Sequence, residues 1–336
     1  MSRKISRSLV SGRAGVGIGG QGLKIEWGSN EPGRLHWMDV YESSLEPVWY
    51  GGRGVFMQNS NGNTYGKDVI QYITISSTGN ATDFGNIIMT SASVPQGGNC
   101  CSNGSRGILF GGGYPAINQI QYITVSTPGN ATDFGDMVQN NYNGGALSNG
   151  LRGIHGGGDG VDEYVDIIEY ITIDTTGNAT DFGDLLDAVG AGLAGICNGT
   201  RGLFGGKIAT SEYGIQYITV ATTGDAADFG DLTVTRYSIS GVDDATRGVF
   251  SAGRSAGYVN TMDYITMAST GNATDFGDLD RAVKSTASAD NHSRGIFAGG
   301  HSGSDEISYI TIQTTGNSTD FGNCLENTAA SGLSGD

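Results

Sequence analysis

The sequence predicts an all-β chain of six four-stranded units closed into a ring. Three observations predict it. Tyr-Ile-Thr followed by Ile, Val or Met starts at Tyr72, Tyr122, Tyr170, Tyr217, Tyr264 and Tyr309, a period of about 47 residues, which is in the range of propellers and solenoids. Twelve residues after each Tyr stands a Phe within Asp-Phe-Gly (Phe84, Phe134, Phe182, Phe229, Phe276 and Phe321), and ahead of each Tyr stands an Arg-Gly pair, at Arg53, Arg106, Arg152, Arg201, Arg247 and Arg294. The composition agrees: 58 Gly, five Pro and 37% hydrophobic residues in 336 suit many short strands joined by tight turns. The Gly residues have no every-third-residue period, so a collagen-like chain is excluded.

Each unit reads as four strands, a to d. Strand a is a small-residue stretch such as Ser285 to Asp290. Strand b is apolar, as in Gly295-Ile296-Phe297-Ala298, and ends in Gly299-Gly300. Strand c, Tyr-Ile-Thr-Ile, is β-branched and apolar, as suits a strand packed between two neighbouring sheets. A Thr-Gly-Asn turn follows, with residues that tolerate positive φ, and it leads into strand d, Asp-Phe-Gly. Four strands in six units make a six-bladed β-propeller. The stretch Ala329 to Gly335 reads as a strand a with no strand b after it, whereas Val48-Trp49-Tyr50 before Arg53 is a poor strand a. The C-terminus is therefore expected to supply the innermost strand of blade 1, which removes the open edges of the ring. Residues 51–336 form the propeller and 1–50 a separate segment.

Loop lengths predict which face varies. From Tyr to Phe the spacing is constant; from Phe to the next Arg it is 22, 18, 19, 18 and 18; from Arg to Tyr it is 19, 16, 18, 16, 17 and 15. The variation falls in the b–c and d–a loops, which share one face of an up-and-down blade. Variable loops on a fixed scaffold are where binding resides. Tyr65, Tyr114, Tyr164, Tyr213 and Tyr258 fall in b–c loops and are the binding candidates, suited to stacking on sugars. On the opposite, constant face the six Arg are expected to meet the six repeat Asp (Asp83, Asp133, Asp181, Asp228, Asp275 and Asp320) as ion pairs or turn hydrogen bonds. Both termini are expected to emerge on that face.

Residues 1–50 differ in composition. They hold all three Trp (Trp27, Trp37 and Trp49), and Leu23–Trp27 and Arg34–Tyr41 flank a Gly-Ser-Asn-Glu-Pro-Gly turn, which reads as a hairpin. The first 25 residues carry Arg3, Lys4, Arg7, Arg13 and Lys24 and no acid, within a net charge of −16. This basic arm and the Trp hairpin are the docking candidates. A solvated tail, and Trp residues that cap the propeller's own constant face, are the alternatives. The acidic body argues against nucleic acid as a partner. No apolar run approaches the ~20 residues of a membrane span, and Leu9-Val10 is the longest apolar run near the N-terminus, so neither membrane insertion nor a secretory leader is expected.

The chemistry the sequence offers is sparse. Cys100, Cys101, Cys197 and Cys324 lack zinc spacing and read as small buried fillers in a chain made in a reducing compartment. The four His (His36, His155, His292 and His301) are too scattered for a copper site; His155 takes a strand-b packing position. No metal, cofactor or catalytic residue is expected. The acidic loop 159–166 reads as a solvated loop, with calcium as the alternative. Asn80, Asn130, Asn178, Asn272 and Asn317 begin glycosylation sequons, but Asp225 in the fourth unit points to turn chemistry in all six.

The order of a small-residue strand, an apolar strand ending in Gly-Gly, a Tyr strand and an aromatic resembles the kelch motif. Here Phe stands where kelch units usually have Trp, Gln58-Asn59 replace the Gly pair in the first unit, and Ala252-Gly253 replace it in the fifth. The whole cassette, Tyr-Ile-Thr-Ile…Thr-Gly-Asn-Ala-Thr-Asp-Phe-Gly-Asp-Leu with Arg-Gly-Ile-Phe-Ala-Gly-Gly, resembles repeats in virion proteins of tailed phages, notably those infecting cyanobacteria. The resemblance implies a non-enzymatic virion structural protein, made in the host cytoplasm, that docks through residues 1–50 onto other virion proteins as a tail or fibre component or a capsid decoration. The alternative is a carbohydrate-binding module for a host-surface glycan; a kelch-type oxidase or hydrolase comes third.

Overall fold

The computed structural model describes residues 51–59, 67–89, 99–113, 115–161, 163–188, 190, 192–206, 214–301, 304–325 and 331–336. The docking candidates of residues 1–50, and Tyr65, Tyr114 and Tyr213, lie outside them.

Twenty-four strands run in chain order. Blade 1 holds β1 (Arg53–Asn59), β2 (Lys67–Thr74) and β3 (Thr82–Asn86); blade 2 holds β4 (Asn99–Ser102), β5 (Arg106–Phe110), β6 (Ile117–Thr124) and β7 (Thr132–Asn141). Blade 3 holds β8 (Gly145–Ser148), β9 (Arg152–Asp159), β10 (Tyr164–Thr172) and β11 (Thr180–Asp184). Blade 4 holds β12 (Ala194–Cys197), β13 (Arg201–Gly205), β14 (Ile215–Thr219) and β15 (Ala227–Gly230). Blade 5 holds β16 (Ser240–Asp243), β17 (Arg247–Ser251), β18 (Val259–Thr266) and β19 (Thr274–Val283). Blade 6 holds β20 (Ala287–Asp290), β21 (Arg294–Ala298), β22 (Glu306–Thr311) and β23 (Thr319–Asn323), and β24 (Ser331–Gly335) completes blade 1 in the order β24-β1-β2-β3. The six antiparallel sheets form a six-bladed β-propeller whose first blade is shared by two distant parts of the chain. No helix occurs among the described residues.

Packing lies between blades. At the junction of blades 2 and 3, Phe110, Phe134 and Met137 meet Ile171 and Ile173. At the last junction Ile296 and Phe321 of blade 6 meet Phe56, Ile73 and Ile75 of blade 1, which closes the ring. Strand c alternates more than expected: its Ile side chains are buried, its Tyr half-buried and its Thr exposed. One face thus serves each neighbour.

The ring is also held by backbone polar groups. The outer strand of a blade would be an open edge, but the c–d turn of the next blade caps it. Ala179 N donates to Asp136 O at 2.8 Å, and Ala81 N to Asn323 O at 2.8 Å, with equivalents at the other four junctions. The repeat Asn side chain adds a second bond across each junction: Asn178 Oδ1 accepts from Asp136 N at 3.1 Å, and Asp225 Oδ1 from Asp184 N at 3.1 Å. An acceptor oxygen is all this position needs, so Asp replaces Asn there without loss. A strand-d glycine meets the turn glycine of the next blade: Gly183 has a φ of 146°, and a Cβ there would lie 2.5 Å from the Gly224 carbonyl carbon. Gly183→Ala is expected to destabilise the propeller by about 2–4 kcal/mol, through strain and a backbone clash. Gly224→Ala, where a Cβ meets nothing within 4 Å, is expected to cost less because only its positive φ is strained. Denaturant melts of the two variants check the order.

Closure reproduces an ordinary blade turn across a chain break. In blade 2, Asn103 Oδ1 accepts from Ser105 N at 3.1 Å and Arg106 N at 2.7 Å, an Asx turn. In blade 1, Asp336 Oδ1 accepts from Gly52 N at 2.5 Å, the same bond across 284 residues of sequence.

Candidate functional site

The repeat Arg and Asp do not pair. Each Asp is exposed at the start of strand d, while each Arg lies flat on the Tyr of its own blade, 4.4–4.5 Å from the ring centroid. Its guanidinium then donates to the carbonyl just past strand c of the next blade: Arg106 to Ile173 O at 2.8 Å, Arg152 to Val220 O at 2.9 Å, Arg294 to Ile75 O at 3.2 Å. The Tyr meets the strand-d Phe edge-on, with centroids 5.9–6.3 Å apart. The correction has a physical reason. A half-buried guanidinium gains from the ring face and a fixed carbonyl, whereas an exposed carboxylate is better left in water. Arg53, Arg106, Arg152, Arg201, Arg247 and Arg294 are thus inter-blade staples of the constant face.

The inner strands line an axial channel of about 140 Å³. Burial pushes the Cys100 thiol up to about 12 and raises Cys101 and Cys197 as well. All three, with Cys324, are free and stay protonated at neutral pH. At the constant-face end the last strand-a positions make a polar ring. Asp243 Oδ2 accepts from Cys197 N at 3.1 Å, Asp290 Oδ2 accepts from Asp243 N at 3.3 Å, and Ser102 Oγ donates to Ser334 O. Asp290 Oδ1 is buried with no hydrogen-bond partner among the described residues. Burial, and then the charge of Asp243, hold the Asp290 carboxyl well above the usual carboxylate range. A carboxyl raised on folding stabilises the fold only while protonated, and that contribution is lost as pH climbs from its unfolded value through its folded one. Asp290→Asn is therefore expected to raise Tm by about 2–4 °C at neutral pH, the equivalent of about 1 kcal/mol. The gain closes on acidification toward about pH 4. Melting curves across that range check it.

A second set of buried polar residues stands out in the fold. The position before the repeat Tyr is Gln71, Gln121, Glu169, Gln216, Asp263 and Ser308, all buried. Gln121 Oε1 accepts from Ile88 N at 2.7 Å, Gln216 Oε1 from Leu186 N at 2.6 Å, and Gln71 Oε1 from Leu325 N at 2.7 Å, each in the segment after the preceding blade. Where the amide becomes an acid, a basic side chain faces it. His155 lies across the strand from Glu169, Nδ1 to Oε1 3.3 Å, and stacks on Phe110. Arg236 reaches Asp263 at 2.5 Å, both fully buried. Sequence reasoning placed His155 as a packing residue and missed Glu169, Arg236 and Asp263. The signal was the break in the Gln series.

On the variable face, Tyr164 and Tyr258 are exposed. Tyr258 sits in the b–c loop as expected, but Tyr164 is the first residue of β10, because blade 3 carries a longer b–c hairpin than its neighbours. In the acidic loop, Asp159 Oδ2 accepts from Asn143 Nδ2 at 2.9 Å. Among the described residues no three His, Cys, Asp or Glu converge at metal-ligand distance. No protein-family model matches the chain, and no curated protein matches it. Fold and site together define a six-bladed β-propeller with a stapled constant face and a variable face that carries the exposed aromatics.

Proposed function

We propose that the chain is a non-enzymatic structural and display component of a tailed-phage particle. Residues 1–50 dock it to other virion proteins, as a tail or fibre component or a capsid decoration, and the propeller presents its variable face outward. The observation that carries this reading is the asymmetry of the two faces. The a–b and c–d turns of the constant face are absorbed in blade-to-blade bonds, which leaves the variable loops as the surface free to differ. A ring locked at every junction suits a part that must hold its shape in an assembly. The kelch-like order of the strands and the likeness of the cassette to phage virion repeats support the same reading.

Deleting residues 1–25 tests it. The expected product is a folded propeller, with an unchanged melting curve, that no longer incorporates into particles. Unimpaired incorporation would overturn the docking role. Recognition of a host-surface glycan is the second reading, favoured by the exposed Tyr258 beside Arg254 and Lys284.

A further inference from the structure

The chain carries a net charge of −16, yet one part of the variable face is basic. Four loops of blades 4, 5 and 6 converge there. Tyr237 precedes β16, Arg254 and Tyr258 lie between β17 and β18, Lys284 follows β19, and His301 follows β21. Main-chain bonds fix these loops to one another: Arg254 N to Tyr237 O at 2.8 Å, Tyr237 N to Arg254 O at 3.1 Å, Gly253 N to Val283 O at 2.8 Å, and His301 N to Lys284 O at 2.9 Å. The Tyr258 ring meets the His301 ring edge-on at 5.8 Å.

The three basic groups act on one another. Burial and the charge of Arg254 push Lys284 below its ordinary value. His301 is lowered by burial, then by Lys284 and Arg254. Among the described residues no carboxylate makes an ion pair with any of the three. Asp280 of β19 and Glu306 of β22 are taken by Arg281, at 2.9 and 3.5 Å. The cluster is thus two like charges, Arg254 and Lys284, beside a His301 held toward its neutral form, all carried on rigid backbone. An anion seated between them would relieve that repulsion.

We propose that Arg254, Lys284, His301 and Tyr258 form a binding site for a carboxylate-bearing saccharide. The Arg254 fork matches a carboxylate, Lys284 adds a point charge and a donor, and His301 offers a ring nitrogen to a hydroxyl. The exposed Tyr258 face lies beside them for the C–H face of a sugar ring. An aromatic platform next to the charges favours a glycan over an acidic peptide, and two cations on an acidic body are too few for nucleic acid. This inference rests on the display reading of the variable face and names the ligand class for that face.

Titration calorimetry on the full chain tests it with oligogalacturonate, oligomannuronate and sialyllactose, against methyl-esterified oligogalacturonate, lactose and an oligoglutamate peptide. At least one of the three acidic sugars is expected to bind at least 10-fold more tightly than every control. Arg254→Gln and Tyr258→Ala are each expected to weaken that binding at least 10-fold with unchanged melting curves, and Lys284→Arg to retain it. No binding by any of the three acidic sugars, equal binding of a neutral control, or tighter binding of the peptide would overturn the proposal. Failure here leaves particle incorporation through residues 1–25 untouched, so the two readings fail separately.

Discussion

Removal of residues 331–336 is expected to abolish the stable monomeric propeller. The lost segment is small, but it supplies the whole inner strand of blade 1. β24 pairs with β1 over five residues, from Arg53 with Gly335 to Met57 with Ser331. Leu333 is buried against Val55, Met57 and Leu109 at the junction of blades 1 and 2. Without it, β1 presents a row of open backbone groups beside apolar side chains, the arrangement that drives aggregation. The bond that Gly52 N donates to Asp336 Oδ1 and the bond from Asp336 N to Gly104 O are lost at once. The expected cost is more than ~5 kcal/mol, comparable with the total stability of many domains. Truncated protein should express insolubly or melt without a cooperative transition. A synthetic peptide of residues 326–336 should restore a cooperative melt if the strand acts as a separable clasp. A truncated chain that melts as the full one does would show that blade 1 does not need β24.

Arg236→Ala is the second large expected effect. Arg236 is fully buried, donates to Asp263, and also donates to Ala252 O at 2.9 Å, Phe250 O at 3.2 Å and Val234 O at 3.2 Å. Truncation strands the Asp263 carboxylate in the blade and removes the Arg236 donor from three carbonyls. Breaking a buried pair from one side costs about 3–5 kcal/mol. Asp263→Asn should cost less, because an amide keeps the acceptor that Thr233 N uses. Coupling between the two sites can be read from a double-mutant cycle with Arg236→Met and Asp263→Leu, where an apolar pair of similar volume is expected to recover most of the loss. Equal losses for Arg236→Ala and the double variant would show that the cost lies in packing and not in the stranded charge.

Much of the fold was legible because the repeat is local. Tyr-Ile-Thr, Asp-Phe-Gly and Arg-Gly each mark a strand of a few residues, and a hairpin joins strands that are neighbours in sequence, so blade number and strand order follow from spacing. Even the clasp was legible, since a strand a lacking its strand b at one end matches a strand b lacking its strand a at the other. The Arg partners were read wrongly for the complementary reason. Arg106 and Ile173 are 67 residues apart, in different blades, and spacing carries no information on which groups face each other across a junction. Charge complementarity pointed to Asp; the fold placed Asp in water and Arg on an aromatic ring.

The amino-acid sequence by itself determined the all-β class, the six units, the closure by the C-terminal strand and the division into a constant and a variable face, because each is written in short-range periodicity and turn chemistry. Only the tertiary structure decided which polar groups bridge the blades, which acids are buried beside a basic side chain, and that Arg254, Lys284 and His301 share one patch. These depend on contacts between blades and between loops far apart in sequence, and the ring geometry brings such groups together only once all six blades are closed.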